Sequence, residues 1–302
     1  MKLCLVGCGR WGKAYLKTIE NMSFLSINWI VLKNSRPELV GNYNFVYDLD
    51  KLLKKENVEG VIIVSPPETH FELAKICIKH SVPVLIEKPF TKSYEQSKYL
   101  RHEFNKNRLI CMVGYQHLFS KKHKLLKKQN PKIGEIKNIN SIAISDGPFR
   151  ENVSVIRDWG SHEVASAIDL FDDFPKSIII QKFDQTFTNL YKGLYNLKMQ
   201  FSNNRQFRSI FGNQSPIKKK QLIVEYDNGF VYQDNLNNSG NIVISNNGFL
   251  DLEQIVKTHP LPLEFSLKEF YKKIKTKCSS TNMNLSVSVN KVLDQLESKF
   301  SE

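Results

Sequence analysis

The chain has 302 residues, a hydrophobic fraction of 41% and a formal net charge of +13. This length suits two ordinary domains, and the apolar content is too high for a disordered chain. No apolar run approaches the roughly 18 residues that a membrane span needs, and the lysines are spread along the chain without interleaved aromatic residues. We therefore expect no membrane or nucleic-acid partner.

The five cysteines are scattered, and their number is odd. This pattern argues against a disulfide framework and against a zinc site, so we expect no bound metal. The first residues predict a strand rather than a signal peptide, because the apolar run ends at Gly7. A reducing, cytoplasmic location is the expectation.

Up to residue 118, short apolar runs alternate with amphipathic stretches. This pattern is typical of a parallel sheet that is covered by helices on both faces. The predicted strands are Lys2–Val6, Ile27–Leu32, Val61–Val64, Val82–Ile86 and Ile110–Val113. The predicted helices between them are Trp11–Asn21, Glu68–His80 and Ser93–Asn107.

After residue 118 the pattern changes to strand-like runs with turn signals. Helices are predicted at Lys121–Gln129 and Trp159–Phe171. Strands are predicted at Glu135–Ser145, Ile178–Phe183, Gly193–Phe201, Gln221–Tyr226 and Gly229–Gln233, with a hairpin turn at Asp227-Asn228-Gly229. Phe265–Thr276 and Leu285–Phe300 are predicted as late helices. We therefore expect an α+β domain with a largely antiparallel sheet over residues 119–284.

The first predicted strand leads directly into Gly7-Cys8-Gly9-Arg10-Trp11-Gly12, and a helix follows. This is a G-x-G-x-x-G motif in the strand–turn–helix context that dinucleotide binding requires. Gly7 would permit a tight turn, Gly9 would let the backbone approach a pyrophosphate, and Gly12 would let the helix pack on the strand. The motif predicts a Rossmann domain over residues 1–118, with Gly7, Gly9, Arg10, Trp11 and Gly12 at the cofactor.

The end of the second predicted strand ordinarily carries an acidic residue for the ribose hydroxyls. Here the segment is Lys33-Asn34-Ser35-Arg36, which has no carboxylate. We expect Asn34, Ser35 and Arg36 to contact the cofactor. Because a basic residue suits a 2′-phosphate, the cofactor is predicted to be NADP or NAD, with NADP favoured.

Three further segments carry a resemblance to a known family: Ser65-Pro66-Pro67-Glu68-Thr69-His70, Glu87-Lys88-Pro89 and Asp158-Trp159-Gly160-Ser161-His162. Together and in this order they resemble the motifs of the glucose-fructose oxidoreductase / inositol dehydrogenase family. The resemblance implies an NAD(P)-dependent oxidoreductase with a Rossmann domain and a second domain built on an open, largely antiparallel sheet. The cofactor contacts that it implies are Ser65, Pro66, His70, Glu87 and Lys88. Gln116 is a further expected cofactor contact, because it follows the fifth predicted strand.

The resemblance also implies the reacting groups. Lys88 follows a predicted strand, where its ammonium can hold the reacting oxygen. His162 suits the role of general base, and Asp158 would orient the sugar or the imidazole. The expected substrate contacts are Lys88, Tyr115, Asp158 and His162, in a cleft between the domains; Gln116 and His117 should line the same cleft.

The arrangement around Asp158 and His162 is most similar to members associated with polysaccharide biosynthesis, which implies a sugar or nucleotide-sugar substrate. The last helix, at about residues 285–300, should return to the first domain, and a homodimer or homotetramer is expected. One position departs from the family: many members carry Asp three residues after the histidine, where this chain has Ala165. Glu163 stands beside His162 instead, which leaves the partner of the histidine open.

Three alternatives remain open. A protein of this architecture can sense NADP and a sugar without catalysis, although the presence of Lys88, Asp158 and His162 favours an enzyme. A bile-pigment or diol reductase of the same fold is compatible with Glu87-Lys88-Pro89. The high positive charge alone favours a Rossmann protein associated with nucleic acid, which a salt-dependent gel shift would reveal.

Overall fold

The computed structural model describes residues 1–34, 43–127, 133–147, 153–183, 192–234, 242–246, 249–254, 261–278 and 281–300. The chain divides into two compact units. One comprises Met1–Gln116 and Pro262–Asn290, and the other comprises His117–Leu261 and Lys291–Glu302. The helix predicted at Phe265–Thr276 thus belongs to the first unit, whereas the sequence grouped it with residues 119–284.

Within the described residues, the first unit is built on a parallel sheet of six strands in the order β3-β2-β1-β4-β5-β6. The strands are β1 Lys2–Val6, β2 Ser26–Val31, β3 Asn44–Val46, β4 Gly60–Ile63, β5 Val84–Glu87 and β6 Cys111–Gly114. Every residue of β4, β5 and β6 is buried. Continuous burial of this kind is expected where helices cover both faces of a sheet.

The crossover helices are α1 Arg10–Glu20, α2 Leu49–Lys55, α3 His70–Lys79 and α4 Tyr94–Lys106. Two of them begin at side-chain caps: Asp48 accepts a hydrogen bond from the Lys51 amide, and Ser93 accepts one from the Gln96 amide. Such caps satisfy amide groups that have no partner inside the helix. The N-terminus of α1 has no side-chain cap.

Two further helices, α7 Pro262–Thr276 and α8 Met283–Glu297, follow the last strand of the second sheet in the chain. Leu267 and Phe270 of α7 are fully buried, and α7 packs on α1. Just before α8, the Asn282 amide donates to the Val113 carbonyl at 2.7 Å and accepts from the Val113 amide at 2.9 Å. Asn282 therefore bonds both backbone polar groups of Val113 on the edge strand β6, as a residue of a further strand would.

The second unit is built on an eight-stranded sheet in the order β14-β13-β12-β11-β7-β10-β9-β8, counted over the described residues. Its strands are β7 Ile136–Asp146, β8 Ser177–Lys182, β9 Leu194–Gln200, β10 Gln206–Gly212, β11 Gln214–Tyr226, β12 Gly229–Asp234, β13 Ile242–Asn246 and β14 Phe249–Gln254. The neighbouring strands β7 and β10 are parallel, and the other neighbours are antiparallel.

The α-helices that lie wholly within the described part of the second unit are α5 Lys121–Lys127 and α6 Ser161–Phe171. Helix α6 packs on β7 and β10. Side chains alternate across the sheet, as strand geometry requires. On β8, Ile180 is buried while Ile179 is 55% exposed, and on β11 Val224 is buried while Ile223 is 41% exposed. The sheet therefore carries apolar side chains on both of its faces.

The predicted fold class is confirmed: a parallel Rossmann sheet and a second unit with a mostly antiparallel sheet. The elements β3 and α2 were not predicted from the sequence; they are short, with three and seven residues. Strand β10 was not predicted from the sequence either, because Arg208 and the buried Ser209 interrupt its apolar pattern. None of the helices in the described part of the chain is long and apolar enough to cross a membrane.

Asn282→Ala should lower the free energy of unfolding by roughly 1–3 kcal/mol, because it leaves the backbone N–H of Val113 on β6 without its acceptor, while the Val113 carbonyl keeps the Tyr115 amide as a donor. Asn284→Ala is the matched control: Asn284 is exposed in the same helix, and its loss should change stability by less than about 0.5 kcal/mol. Urea denaturation measures both. Equal stabilities for the two variants would show that Asn282 does not protect the strand edge.

Candidate cofactor and active site

The turn after β1 is closed by two glycines that have no room for a side chain. Gly7 has a φ of +92°, and a Cβ there would lie 2.8 Å from the Ser65 amide nitrogen. A Cβ at Gly12 would lie 2.6 Å from the Gly7 carbonyl oxygen. These contacts bring the start of α1 against the ends of β1 and β4, as predicted for a tight strand–helix turn.

Gly9 differs from the other two glycines, because a Cβ there would meet no atom within 4 Å. Gly9 is also exposed, as are Arg10 and Trp11 in the first turn of α1. The first turn has no acidic residue and no side-chain cap, so its amide groups point outward with the positive end of the helix dipole. This open cradle fits a pyrophosphate.

Two neighbouring loops lie at the same edge of the sheet, because β1, β4 and β5 are adjacent and parallel. Ser65 and Pro66 follow β4, and Lys88 follows β5. His70 joins the two loops: its Nδ1 lies 2.9 Å from the Pro89 carbonyl oxygen, and its Nε2 lies 2.9 Å from the Ser65 carbonyl oxygen. The imidazole of His70 therefore connects the loops after β4 and β5, which would surround a dinucleotide.

His70 is fully buried, so its ring contacts the protein interior rather than an open surface. Burial lowers the pKa of His70, and the carbonyls of Ser65 and Pro89 oppose that shift. A neutral imidazole has one N–H and can donate to only one of these carbonyls. This position differs from the direct cofactor contact that the sequence predicts for His70, and it makes the residue a brace for the loops.

Glu87 is the buried carboxylate at the end of β5. It accepts hydrogen bonds from the Tyr15 hydroxyl at 2.7 Å, the Gln116 amide at 2.6 Å and the Lys88 backbone amide at 3.2 Å. A Cβ at Gly114 would lie 2.9 Å from Glu87 Oε1, so the glycine makes room for the carboxylate. Glu87 thereby connects α1, the end of β6 and the loop that carries Lys88.

Burial raises the pKa of Glu87, while the Tyr15 hydroxyl, the Lys88 charge and the Gln116 amide act in the opposite direction. Burial also raises the pKa of Tyr15, and the neighbouring carboxylate raises it further. The Tyr15 hydroxyl therefore stays protonated and donates to Glu87. The carboxylate is satisfied by protein donors, which places it behind the cofactor cradle rather than in it.

In the second unit, the segment before α6 begins with a π-helical turn, Ile156–Gly160, which contains Asp158. Asp158, His162, Ser166 and Asp169 recur at three- and four-residue spacing and are half-buried, so they share one face of the helix. A π-helical turn is often found at functional sites. The structure thus places the predicted residues Asp158 and His162 on one partly accessible face.

His162 contacts His117, a residue for which the sequence predicted only a position lining the cleft. Its Nδ1 lies 3.3 Å from His162 Nδ1, and its Nε2 lies 3.1 Å from the Ser166 hydroxyl. The two rings meet edge to face, with centroids 5.1 Å apart. The sequence could signal only that His117 follows a strand end, because the contact joins residues that are 45 positions apart.

Glu163 is directed away from His162. It is buried, and its carboxylate accepts a hydrogen bond from Ser209 of β10 at 2.7 Å. Burial raises the pKa of Glu163, and hydrogen bonds from Ser141 and Ser209 lower it. Adjacent helical residues point in different directions, so the neighbour in sequence is not the neighbour in space.

Arg157, beside Asp158, anchors the π-helical turn. Its guanidinium donates to Glu297 at 2.7 Å and to Asp294 at 2.6 Å on the last turns of α8, and Ser154 also donates to Glu297. These bonds give Arg157 a structural position. A part-buried guanidinium that donates to two carboxylates holds the turn in one orientation.

Other predicted site residues are placed as follows. Gln116 is half-buried against Glu87, and Asn34 is exposed at the end of β2. Tyr115 differs from its expected position at the edge of a cleft, since none of its surface is exposed. Ser35 and Arg36 lie outside the described residues. In the part of the chain that is described, no group of three or more His, Cys, Asp or Glu side chains could hold a metal ion.

Residues 1–115 match the model of the GFO/IDH/MocA family, described as an oxidoreductase family with an NAD-binding Rossmann fold. The chain is 25% identical over 131 residues to 4-carboxy-2-hydroxymuconate-6-semialdehyde dehydrogenase from Sphingobium. It is 23% identical over 145 residues to the scyllo-inositol 2-dehydrogenase (NADP(+)) IolW of Bacillus subtilis. These matches cover 42% and 44% of this chain, and 42% and 40% of the relatives.

A similar fold extends over nearly the whole chain. The structure of UDP-N-acetylglucosamine 3-dehydrogenase GnnA from Acidithiobacillus ferrooxidans superposes with a TM-score of 0.81 and 18% identity. The superposition covers 98% of this chain and 96% of GnnA. At this identity the comparison establishes the fold, including the second unit that the family model does not reach.

Gly9→Asp should abolish binding of NAD and NADP without unfolding the protein. The side chain enters open space, so the fold tolerates it, but it occupies the pyrophosphate cradle and adds a negative charge there. Cofactor at a free concentration of about 100 times Kd should stabilise the unmodified protein by roughly 2.7 kcal/mol in thermal melts, and this gain should vanish in the variant. Gly9→Ala controls for the loss of glycine. Retained cofactor binding by Gly9→Asp would disprove the proposed cradle.

Proposed function

Because residues 1–115 match the model of the GFO/IDH/MocA oxidoreductase family, we propose that this chain belongs to that family and is an NAD(P)-dependent oxidoreductase acting on a sugar or nucleotide sugar. The reaction would interconvert a secondary hydroxyl and a keto carbon. The observation that supports this most directly is the shared edge of the first sheet. There an uncapped helix N-terminus, an open Gly9 and the loop carrying Lys88 occur together.

A bound nicotinamide would accept or donate the hydride. Gly7, Gly9 and Gly12 let the backbone amides of α1 reach the pyrophosphate, with Arg10 and Trp11 beside it. Ser65, Pro66 and Lys88 line the neighbouring loops at the same sheet edge. Glu87, Gln116 and His70 act through the protein: Glu87 accepts from Tyr15 of α1 and from Gln116, and His70 contacts the two loops.

Lys88 has the chemistry to hold the reacting oxygen. An ammonium group beside a carbonyl or alkoxide oxygen stabilises negative charge that develops there. Its backbone is held by Glu87, through the bond from the Lys88 amide, and by the buried loop brace at Pro89. A lysine whose backbone is held at both neighbours presents its charge from a defined position.

His162 has the chemistry to exchange the hydroxyl proton, since an unperturbed imidazole titrates at a pKa of ~6.5. Asp158 lies one turn earlier on the same helical face and would orient the sugar or the imidazole. The names of relatives support the substrate class: IolW acts on scyllo-inositol, and GnnA acts on UDP-N-acetylglucosamine. A role in surface-polysaccharide synthesis is compatible with the second of these.

The second sheet supports self-association. Ile179 and Ile223 project from the face opposite the buried Ile180 and Val224, and a second copy of the chain packed on this face would cover them. We therefore expect a homodimer or homotetramer, as closed assemblies are the usual outcome for identical chains.

Lys88→Met and His162→Asn should each lower kcat by roughly 10²–10⁴-fold, the range expected for loss of a positioned acid, base or charge. Cofactor affinity should stay within a few-fold, and Tm should be nearly unchanged. The assay follows the absorbance of the reduced cofactor with myo-inositol, scyllo-inositol and UDP-N-acetylglucosamine as substrates. The double variant should lose less than the product of the single losses, because both groups act in one step.

Two exposed residues serve as controls: Lys92→Met and His102→Asn should leave turnover unchanged. Near-full activity in Lys88→Met or His162→Asn would show that the residue is structural. If the sugar and NADP bind together but no sugar is converted, the protein is a sensor of this architecture rather than an enzyme.

The cofactor preference is proposed from the sequence after β2, where Lys33, Ser35 and Arg36 stand and a carboxylate is missing. The unmodified protein should bind NADP more tightly than NAD. Ser35→Asp combined with Arg36→Ala should reverse the order, since a carboxylate accepts from ribose hydroxyls and repels a 2′-phosphate. Calorimetric titration of both cofactors measures the ratio. NAD affinity that already equals NADP affinity in the unmodified protein would refute the phosphate site.

A further inference from the structure

The two histidines of the second unit are joined through like atoms. His162 Nδ1 lies 3.3 Å from His117 Nδ1. A hydrogen bond between them needs one nitrogen that carries a proton and one that does not. The protonation of one ring therefore determines which nitrogen of the other ring carries the proton.

The connection continues on the far side of His117. Its Nε2 lies 3.1 Å from the Ser166 hydroxyl, and Ser166 is one helical turn after His162 on α6. His162, His117 and Ser166 thus form a chain of hydrogen bonds that leaves α6 and returns to it. The serine oxygen can accept the Nε2–H of His117, which leaves Nδ1 of that ring as the acceptor.

His117 is itself held in place by a charged group of side chains. The His123 ring meets it edge to face, with centroids 6.0 Å apart. His123 Nε2 lies 2.7 Å from Asp169 of α6, and Lys127 donates to the same carboxylate at 2.9 Å. These contacts fix the plane of His117, so that its Nδ1 stays directed at His162.

We propose that His117 is a positioning residue that selects the tautomer of His162. When both rings are neutral, His162 carries its proton on Nδ1, and this N–H donates a hydrogen bond to His117 Nδ1. The Nε2–H of His117 donates a hydrogen bond to Ser166. His162 Nε2 then holds a lone pair, which is the form that a base requires. The function of this arrangement rests on the catalytic role proposed above for His162.

The proton balance of the step is simple. The O–H bond of the substrate breaks, and the proton forms an N–H bond at His162 Nε2. The resulting imidazolium keeps its Nδ1–H, which donates to His117 or passes to His117 Nδ1. The added positive charge is then shared by two rings. The hydride would leave with the electrons of the carbon–hydrogen bond and be accepted by the bound nicotinamide of the proposed reaction.

The test compares variants of His117 that keep different ring nitrogens. The amide of Asn can take the place of Nδ1, the amide of Gln can take the place of Nε2, and Phe supplies neither. His117→Phe and His117→Gln should lower kcat roughly 10- to 100-fold with little change in KM, the size of effect seen when a metal-bound histidine loses its outer partner. His117→Asn should retain activity within a few-fold of the unmodified protein.

The tautomer is measured directly, without substrate or cofactor, by long-range ¹H–¹⁵N NMR of histidine-labelled protein at alkaline pH. His162 should be protonated on Nδ1 in the unmodified protein and in His117→Asn, and should shift toward the Nε2-protonated form in His117→Phe. If His117→Phe does not fold, as judged by its melting curve, His117→Gln provides the same comparison.

The outcomes separate this inference from the proposed function. The same tautomer of His162 in all variants would overturn the inference, as would full turnover by His117→Gln together with loss of turnover in His162→Asn. A tautomer that responds to His117 in a protein whose His162→Asn variant keeps full turnover supports the positioning role and contradicts the catalytic role of His162.

Discussion

The close approach of α1 to the sheet is the constraint on which the candidate cofactor site depends. It is possible only because Gly12 faces the Gly7 carbonyl and Gly7 faces the backbone of the next strand end, at distances that no Cβ tolerates. The same turn leaves Gly9 facing open space. Close packing on one side and room on the other let uncapped amides at a helix terminus face a pyrophosphate.

Buried polar groups then hold the neighbouring loops to this turn. Glu87 accepts hydrogen bonds from α1, from the end of β6 and from the Lys88 amide. His70 connects the loops after β4 and β5. A buried carboxylate or imidazole is unfavourable unless its hydrogen bonds are made, so each group favours one arrangement of its partners. Glu87 of the Glu87-Lys88-Pro89 motif thus holds the loop, and Lys88 is the residue of this motif for which we propose a role in the reaction.

Much of this was predictable from the sequence because it is local. Strand runs, the glycine turn and the motif around Lys88 are contiguous, and the structure places them where the pattern predicts. The sequence did not predict the connection of His162 to His117, since that pair is separated by 45 positions and is brought together only by folding. Nor could adjacency show that Glu163 is directed to Ser209, because neighbours along a helix diverge.

Burial explains the remaining differences. Tyr115 follows a strand end, as cofactor-lining residues do, yet its side chain is buried. The position of α7 depends on the packing of Leu267 and Phe270 in the core of the first unit, and the sequence of the helix itself does not indicate that position. Helical periodicity shows which face of a helix is apolar, but it does not identify the surface that covers that face.

The most direct test of the proposed cofactor site is a crystal structure with NADP at a concentration that calorimetry shows to be saturating. Pyrophosphate oxygens should lie within hydrogen-bond distance of the backbone amides that follow Gly9, with the nicotinamide beside Ser65 and the Lys88 loop. Density for the cofactor at another place on the first unit, or no density at saturation, would contradict it.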